Sequence, residues 1–372
     1  MTAEAGDAPP LASQGVLQID LDAIAANYRL LQDRLGNTLC APAVKADAYG
    51  LGMEQVAPAL YGAGARLFFV AHLTEGLALR RLLPDAEIAC LNGVFAPDVH
   101  TVLQARLVPV LNDLDAIALW RAQGAGRPAF IHIDTGMNRL GLGPDAVQAL
   151  IDAPALMDGL SVRGWMTHMA CADTPDHPLN ADQRGRFADA VAKLPPAPAS
   201  LANSASVFLG NDYHFDIARP GCALYGVNPT PHAPNPMQPV VTVRCPVLQT
   251  RTITQPGTTG YGATAPVRPG SRTATIAVGY ADGFMRHLSN VGHVMINDHR
   301  VPVIGRVSMD LVTVDVTALP ANTIQPGVTQ AEILGPDLTV DTQGAAAGTI
   351  GYEVLTALGS RYRRVHRSHG CA

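Results

Sequence analysis

The stretch APAVKADAYGLG, residues 41–52, decides the fold. An apolar run climbs through Val44 to a lysine and then breaks into small, polar and glycine residues. This is how a buried strand ends in a loop. The chain holds only two lysines, Lys45 and Lys193, among its 26 basic residues. Where arginine supplies nearly all the positive charge, a lysine at the end of an apolar strand marks a position that needs an amine. Lys193, in AVAKLPP, reads as solvated charge at a helix end.

Working outward from this strand, TLCAPAVK (38–45), seven further β-rich runs follow at regular intervals: RLFFVAHL (66–73), EIACLNG (87–93), LVPVLND (107–113), AFIHIDT (129–135), VRGWMTHM (162–169), SLANS (200–204) and HFDIARPG (214–221). Helical segments such as TEGLALRRLL and LNADQRGRFADAVAKL separate them, and the threonine and asparagine at their heads suit N-caps. Eight strands alternating with helices over about 200 residues predict a parallel (β/α)8 TIM-type barrel. VLQIDLDAIAANYRLLQ (16–32) adds a leading strand and helix. After the proline-rich NPTPHAPNPMQP (228–239), the pattern becomes short alternating runs with Gly and Pro turns, VVTVRCPVLQTRTI, TATIAVGY, HVMINDHRVPVIG, LVTVDV and AEILG, with GTIGYEVLTALGSRY as a last helical stretch. The expected organisation is therefore α/β, with a barrel over 16–237, a mostly β domain over 240–372, and a flexible or weakly packed segment over 1–15.

Composition narrows the function. With 372 residues, 48% of them hydrophobic, two domains are expected. A net charge of −5 without any basic block argues against nucleic acid and anionic membrane surfaces as partners. The six cysteines, at 40, 90, 171, 222, 245 and 371, form no CxxC pair, so no zinc ribbon, metal site or thioredoxin-type motif is expected. No apolar run reaches the roughly 20 residues of a membrane helix. MTAEAGDAPPLASQG has neither a basic n-region nor an apolar h-region, so a cytoplasmic location is expected.

In a barrel of this kind, chemistry sits at the C-terminal ends of the strands. Those ends deliver Lys45, Asp134 with Arg139 just beyond, His168, Asn203 with Ser204, and Arg219. Taken singly, His168 would read as a core histidine and Arg219 as half of a structural ion pair. Their shared location argues for a mouth suited to a small anion. A lysine buried there would have its pKa lowered and offer a free amine for a Schiff base. The glycine motifs GAGARL (62–67) and GLGP (141–144) lack the context of a dinucleotide fingerprint.

With these residues in view, the chain resembles the bacterial alanine racemase family over nearly its whole length. AVKADAYGLG is similar to that family's pyridoxal-phosphate signature, which implies Lys45 as the Schiff-base lysine and Tyr49 near the phosphate. DTGMNRLG implies Arg139 as the substrate-carboxylate arginine. ANSA (202–205) and ARPGCALYG (218–226) imply Asn203, Ser204, Gly221 and Cys222 at the cofactor, and Arg219 at its pyridine nitrogen. His168 joins this set. In the second domain, GYGATAP implies Tyr261 as the second catalytic base, GYADG and GRVSMD imply Tyr280 and Met309 at the substrate, and GTIGYEV implies Tyr352 at the phosphate. The resemblance further implies alanine as substrate and a homodimer in which the second-domain residues complete the partner's site. Two positions depart from the family pattern. His132 stands where a carbamylated lysine often supports the substrate arginine, and Ser200 replaces a usual histidine. Four alternatives remain beside the racemase: one of broader specificity, a decarboxylase on the same plan, a non-catalytic cofactor-binding barrel, and an ordinary barrel enzyme without cofactor. Arg219 replaces the acidic ring partner the decarboxylase would need, and the β domain argues against the non-catalytic barrel.

Overall fold

The computed structural model describes residues 11–368. Cys371 and the first ten residues of the expected loose N-terminal segment lie outside this range. The last part of that segment is docked: Gln14 donates to the Arg361 carbonyl, and Gly15 accepts from the Arg363 amide at 2.9 Å.

The chain forms two compact units, one spanning Leu21–Gln238 and the other made of the residues before and after it. The expected barrel boundary at residue 16 is therefore corrected to 21. Strand β1 (Val16–Asp20) belongs with the second unit, because its hydrogen bonds run there.

The first unit is the expected barrel. Strands β2 (Leu39–Cys40), β3 (Leu67–Val70), β4 (Glu87–Cys90), β5 (Val108–Leu111), β6 (Pro128–His132), β7 (Ser161–Met166), β8 (Ala199–Ser200) and β9 (Ile217–Ala218) each overlap one of the eight runs read from sequence, with β6, β7 and β8 starting one residue earlier. β3 to β8 form a continuous parallel sheet, and β2 pairs parallel with β9. The ring closes through Val44 N–H on the Phe69 carbonyl at 2.9 Å and Arg219 N–H on the Ala202 carbonyl at 2.8 Å. The interior is filled from alternate positions, among them Ala41, Ala43, Phe69, Val108, Val110, Phe130, Met166 and Ile217, all buried. Their period of two is the strand pleat. The helix caps differ from expectation. Helix Leu73–Leu82 begins at His72, with Glu75 accepting the His72 N–H, and helix Pro178–Val191 begins at His177, whose ring accepts from Leu179 N–H.

The second unit is mostly β, as expected. Its long strand β10 (Val241–Thr252) pairs antiparallel with β1. The hairpin β11 (Gly257–Thr259) and β12 (Ala265–Val267) comes next, followed by β13 (Arg272–Ile276), β14 (His293–Ile296), β15 (His299–Pro302), β16 (Val312–Asp315) and β17 (Gln330–Leu334). β10 also pairs with β17 near its start and with β13 beyond a bulge after Val247. Two short helices, Val340–Ala347 and Gly351–Thr356, precede β18 (Arg363–Arg367). The helix Gly351–Thr356 falls in the expected last helical stretch, and β18, which follows that stretch, lies parallel to β1.

Candidate active site

The barrel's polar layer follows from its core by simple counting. Two residues beyond the inward-facing Ala43, Val110, Phe130, Met166 and Ile217 come Lys45, Asn112, His132, His168 and Arg219. Strand alternation turns them toward the same axis, at the C-terminal end of the strands. Their mutual electrostatic influence agrees: His168 feels Arg219, Arg139, Lys45 and His132. Strand chemistry thus builds an apolar plug, and one pleat above it a cationic mouth.

Lys45 opens an unusual turn. Ala46, Asp47, Ala48 and Tyr49 have φ between 52° and 57°, forming one turn of left-handed helix. Four non-glycine residues in this region cost roughly 4–8 kcal/mol, at about 1–2 kcal/mol each. Such backbone persists only where its surroundings over-determine it. Here Ala46 N–H donates to Glu75 Oε1 at 2.6 Å, Ala48 N–H to the Val44 carbonyl at 3.0 Å, and Met53 N–H to Asp47 Oδ1 at 2.7 Å. The Tyr49 ring packs on Tyr225 with centroids 4.7 Å apart, and the Tyr225 hydroxyl donates to the Ala43 carbonyl at 2.9 Å.

Burial draws the Lys45 pKa below the ordinary lysine value. Arg139 and Arg219 act in the same direction, and Glu75 opposes them. Arg219 is buried and has no carboxylate partner among the described residues. Its guanidinium donates to Ser200 Oγ and the Thr167 carbonyl, both at 2.5 Å, and lies 3.4 Å from His168 Nδ1. Burial brings its pKa to about 10, so it stays charged at neutral pH. A buried guanidinium held by neutral acceptors keeps donor capacity for a ligand. Arg139 is exposed, in a loop closed by Leu142 N–H on the His132 carbonyl and by Gly136 and Met137 N–H on Asp134 Oδ1.

His132 is held neutral. Its pKa is pushed down to about 4 by burial first and Arg219 next, with Asp134 opposing. Its Nδ1 lies 2.9 Å from Asn112 Oδ1. The Asn112 amide already donates to the Leu91 and Val110 carbonyls, so the carbonyl oxygen faces the ring and Nδ1 carries the proton. Burial first, then Arg219, Arg139 and Lys45, pushes His168 well below its usual value.

Beside this mouth lies a small cradle. The Ser204 hydroxyl accepts from Gly221 N–H at 2.9 Å and Ala223 N–H at 3.3 Å, and the Tyr49 hydroxyl sits against the Gly221 Cα. A methyl at 221 would collide with that hydroxyl, so only glycine fits. Cys222 is buried in the same turn. Asn203 accepts from Ser206 N–H in its own loop at 3.1 Å and donates to the Met169 carbonyl, in the segment after β7, at 3.3 Å.

The second unit carries four more of the expected residues. Tyr280 N–H bonds the Ser308 carbonyl and Ala281 N–H the Met309 carbonyl, which places Tyr280 beside Met309. Arg361 fastens this turn with a two-pronged bond to Asp282, both contacts at 2.7 Å, and a further bond to Asp310. Tyr261 sits between β11 and β12, on a turn laid against Gly305 and Arg306. Tyr261, Tyr280 and Met309 are 72%, 44% and 52% exposed. Tyr352 lies on the helix Gly351–Thr356.

Glu75, Asn112, Tyr225, Arg306 and Arg361 escaped the sequence reading. Asn112 alone carried a usable signal, since it ends a strand run in the same phase as the other mouth residues.

An eight-stranded barrel whose mouth joins a lysine of lowered pKa to uncompensated arginines is an enzyme scaffold for amine chemistry on a small anion. The chain belongs to the alanine racemase family. Residues 19–229 match the family model "Alanine racemase, N-terminal domain", and residues 240–366 match "Alanine racemase, C-terminal domain". It is 50% identical to the alanine racemase of Acidiphilium cryptum, covering 95% of this chain and 98% of that one. It is 49% identical to that of Rhodospirillum rubrum, covering 94% and 95%. The crystal structure of alanine racemase from Bartonella henselae with covalently bound pyridoxal phosphate superposes with a TM-score of 0.91 at 40% identity, covering 95% of this chain and 99% of that one.

Proposed function

We propose that this protein interconverts L- and D-alanine with pyridoxal 5'-phosphate, using Lys45 on one face of the substrate Cα and Tyr261 of the partner subunit on the other. The observation that carries the reading is the buried Arg219, charged and without a carboxylate partner among the described residues, two positions beyond the apolar core residue Ile217. The residues fit the cofactor. Arg219 offers a donor that cannot surrender its proton, the Gly221 cradle leaves no room for a Cβ, and Lys45 is an amine whose pKa burial has lowered.

When bound, the cofactor withdraws electrons from the substrate's Cα. Lys45 would hold it covalently and, once displaced by the substrate's amine, would move a proton at Cα on its own face. Tyr49, Ser204, Tyr352 and backbone amides near Gly221 and Cys222 would hold its phosphate, with Asn203 and His168 completing the pocket. Arg219 donates to its ring nitrogen without protonating it, which weakens electron withdrawal and suppresses side reactions. Arg139 binds the substrate carboxylate as a charge-assisted pair. Tyr280 and Met309 of the partner subunit border the substrate, and the high exposure of these residues in a single chain supports a homodimer with shared sites. We place the enzyme in the cytoplasm, where it supplies D-alanine for peptidoglycan. Among the described residues, no helix is long and apolar enough to cross a membrane.

The test is conversion of each alanine enantiomer, with Lys45→Ala and Tyr261→Phe assayed apart and mixed. The reading expects conversion in both directions, loss in each variant, and recovery on mixing, because a hybrid dimer has one intact site. Inert wild-type protein would overturn the activity, and no recovery on mixing would overturn the shared site.

A further inference from the structure

One carboxylate holds the turn after Lys45 from outside, and the cofactor reading gives it no task. Glu75 is the third residue of helix Leu73–Leu82. Its Oε2 accepts Ala71 N–H at 2.8 Å and His72 N–H at 2.9 Å, which starts its own helix. Helix capping needs no more than this. Its Oε1 reaches 29 positions back in sequence to Ala46 N–H at 2.6 Å. That bond joins the first turn of the helix after β3 to the turn that follows β2, at the first left-handed residue and the immediate neighbour of Lys45. Ala46 is exposed, so no side-chain packing holds it there. The other supports of the turn lie further along, at Asp47, Ala48 and Tyr49.

We propose that Glu75 is a positioning residue for Lys45, its carboxylate fixing the entry to the left-handed turn so that the lysine amine is held in one orientation at the barrel mouth. The proposal rests on the reading of Lys45 as the amine that holds the cofactor and moves the proton. Two properties suit Glu75 to this role. Only an ionised carboxylate accepts three N–H groups at once, so glutamine cannot replace it. Among the described residues, Glu75 is also the acid that acts on Lys45 against burial and the two arginines. It therefore limits how far the amine's proton affinity falls while fixing its place.

The test compares wild type, Glu75→Gln and Glu75→Asp as full-length holoenzymes, by hydrogen–deuterium exchange of the peptide covering residues 46–53 and by kcat and KM for alanine. In Glu75→Gln, exchange in that peptide is expected to rise at least about 10-fold and kcat to fall about 10-fold. KM should stay within about twofold, and the rest of the barrel should exchange as in wild type. Glu75→Asp should recover part of both effects. Wild-type exchange and kcat in Glu75→Gln would overturn the proposal. So would exchange rising evenly through the barrel, or an aspartate that recovers nothing. If wild type fails to convert alanine, the activity reading falls, while the exchange data still decide whether Glu75 pins the turn.

Discussion

Ala46→Gly tests the left-handed turn by the sign of its effect. In an ordinary right-handed helix this substitution destabilises by about 1 kcal/mol. Ala46 has φ 52° and ψ 48°, where a Cβ costs about 1–2 kcal/mol. Glycine removes that cost and returns about 0.5–1 kcal/mol through the added freedom of the unfolded chain. Ala46 is exposed, so losing its methyl sacrifices no packing, and its N–H remains to bond Glu75. The net expectation is a stabilisation of about 0.5–1 kcal/mol. Urea denaturation of the holoenzyme, followed by circular dichroism and cofactor absorbance, would read it as a higher midpoint at unchanged slope. A destabilisation near 1 kcal/mol would show that the turn after Lys45 is right-handed, and the derivation of its strain would be wrong.

Gly221→Ala should weaken cofactor binding about 10-fold or more, since overpacking of this kind costs about 1–3 kcal/mol. Tyr49→Phe in the same background should restore part of the affinity, measured by absorbance titration, because the collision is with the tyrosine hydroxyl. Stability should fall with acid. His132 titrates near 6.5 when unfolded and at about 4 when folded, so the unfolded chain takes up the proton first as pH drops through that window. About 2 kcal/mol of stability is lost between pH 7.5 and pH 5 on this account, and His168 adds in the same direction. Urea midpoints at the two pH values should converge in part for His132→Gln, and an unchanged gap would count against the assignment. In cofactor-stripped protein, acylation of Lys45 followed by mass spectrometry should give a midpoint below the ordinary lysine value of about 10.4. A midpoint at or above that value would contradict its burial among arginines.

The barrel was legible because its strands are buried on both faces and read as apolar runs, each stopping at a polar residue. The same phase that buries Phe130, Met166 and Ile217 turns His132, His168 and Arg219 into the mouth, so the cationic layer could be read by position. Handedness at Lys45 could not. Alanine and tyrosine avoid positive φ and aspartate adopts it only as a single residue, so the turn is imposed by Glu75, Tyr225 and the strand ends. Strand β1 was assigned to the wrong unit for a related reason. Its alternation shows a half-buried strand, but its partners begin at residues 241 and 363, and no local signal names partners so distant. Histidine caps at 72 and 177 escaped notice because the neighbouring threonine and asparagine fit the usual preference better.

The central claim is that Lys45 holds the cofactor. With two lysines in the chain, borohydride reduction of the holoenzyme followed by peptide mapping gives a binary answer. The account predicts the pyridoxyl group on the peptide containing Lys45, with Lys193 unmodified. Label on Lys193, or on neither lysine, would contradict it.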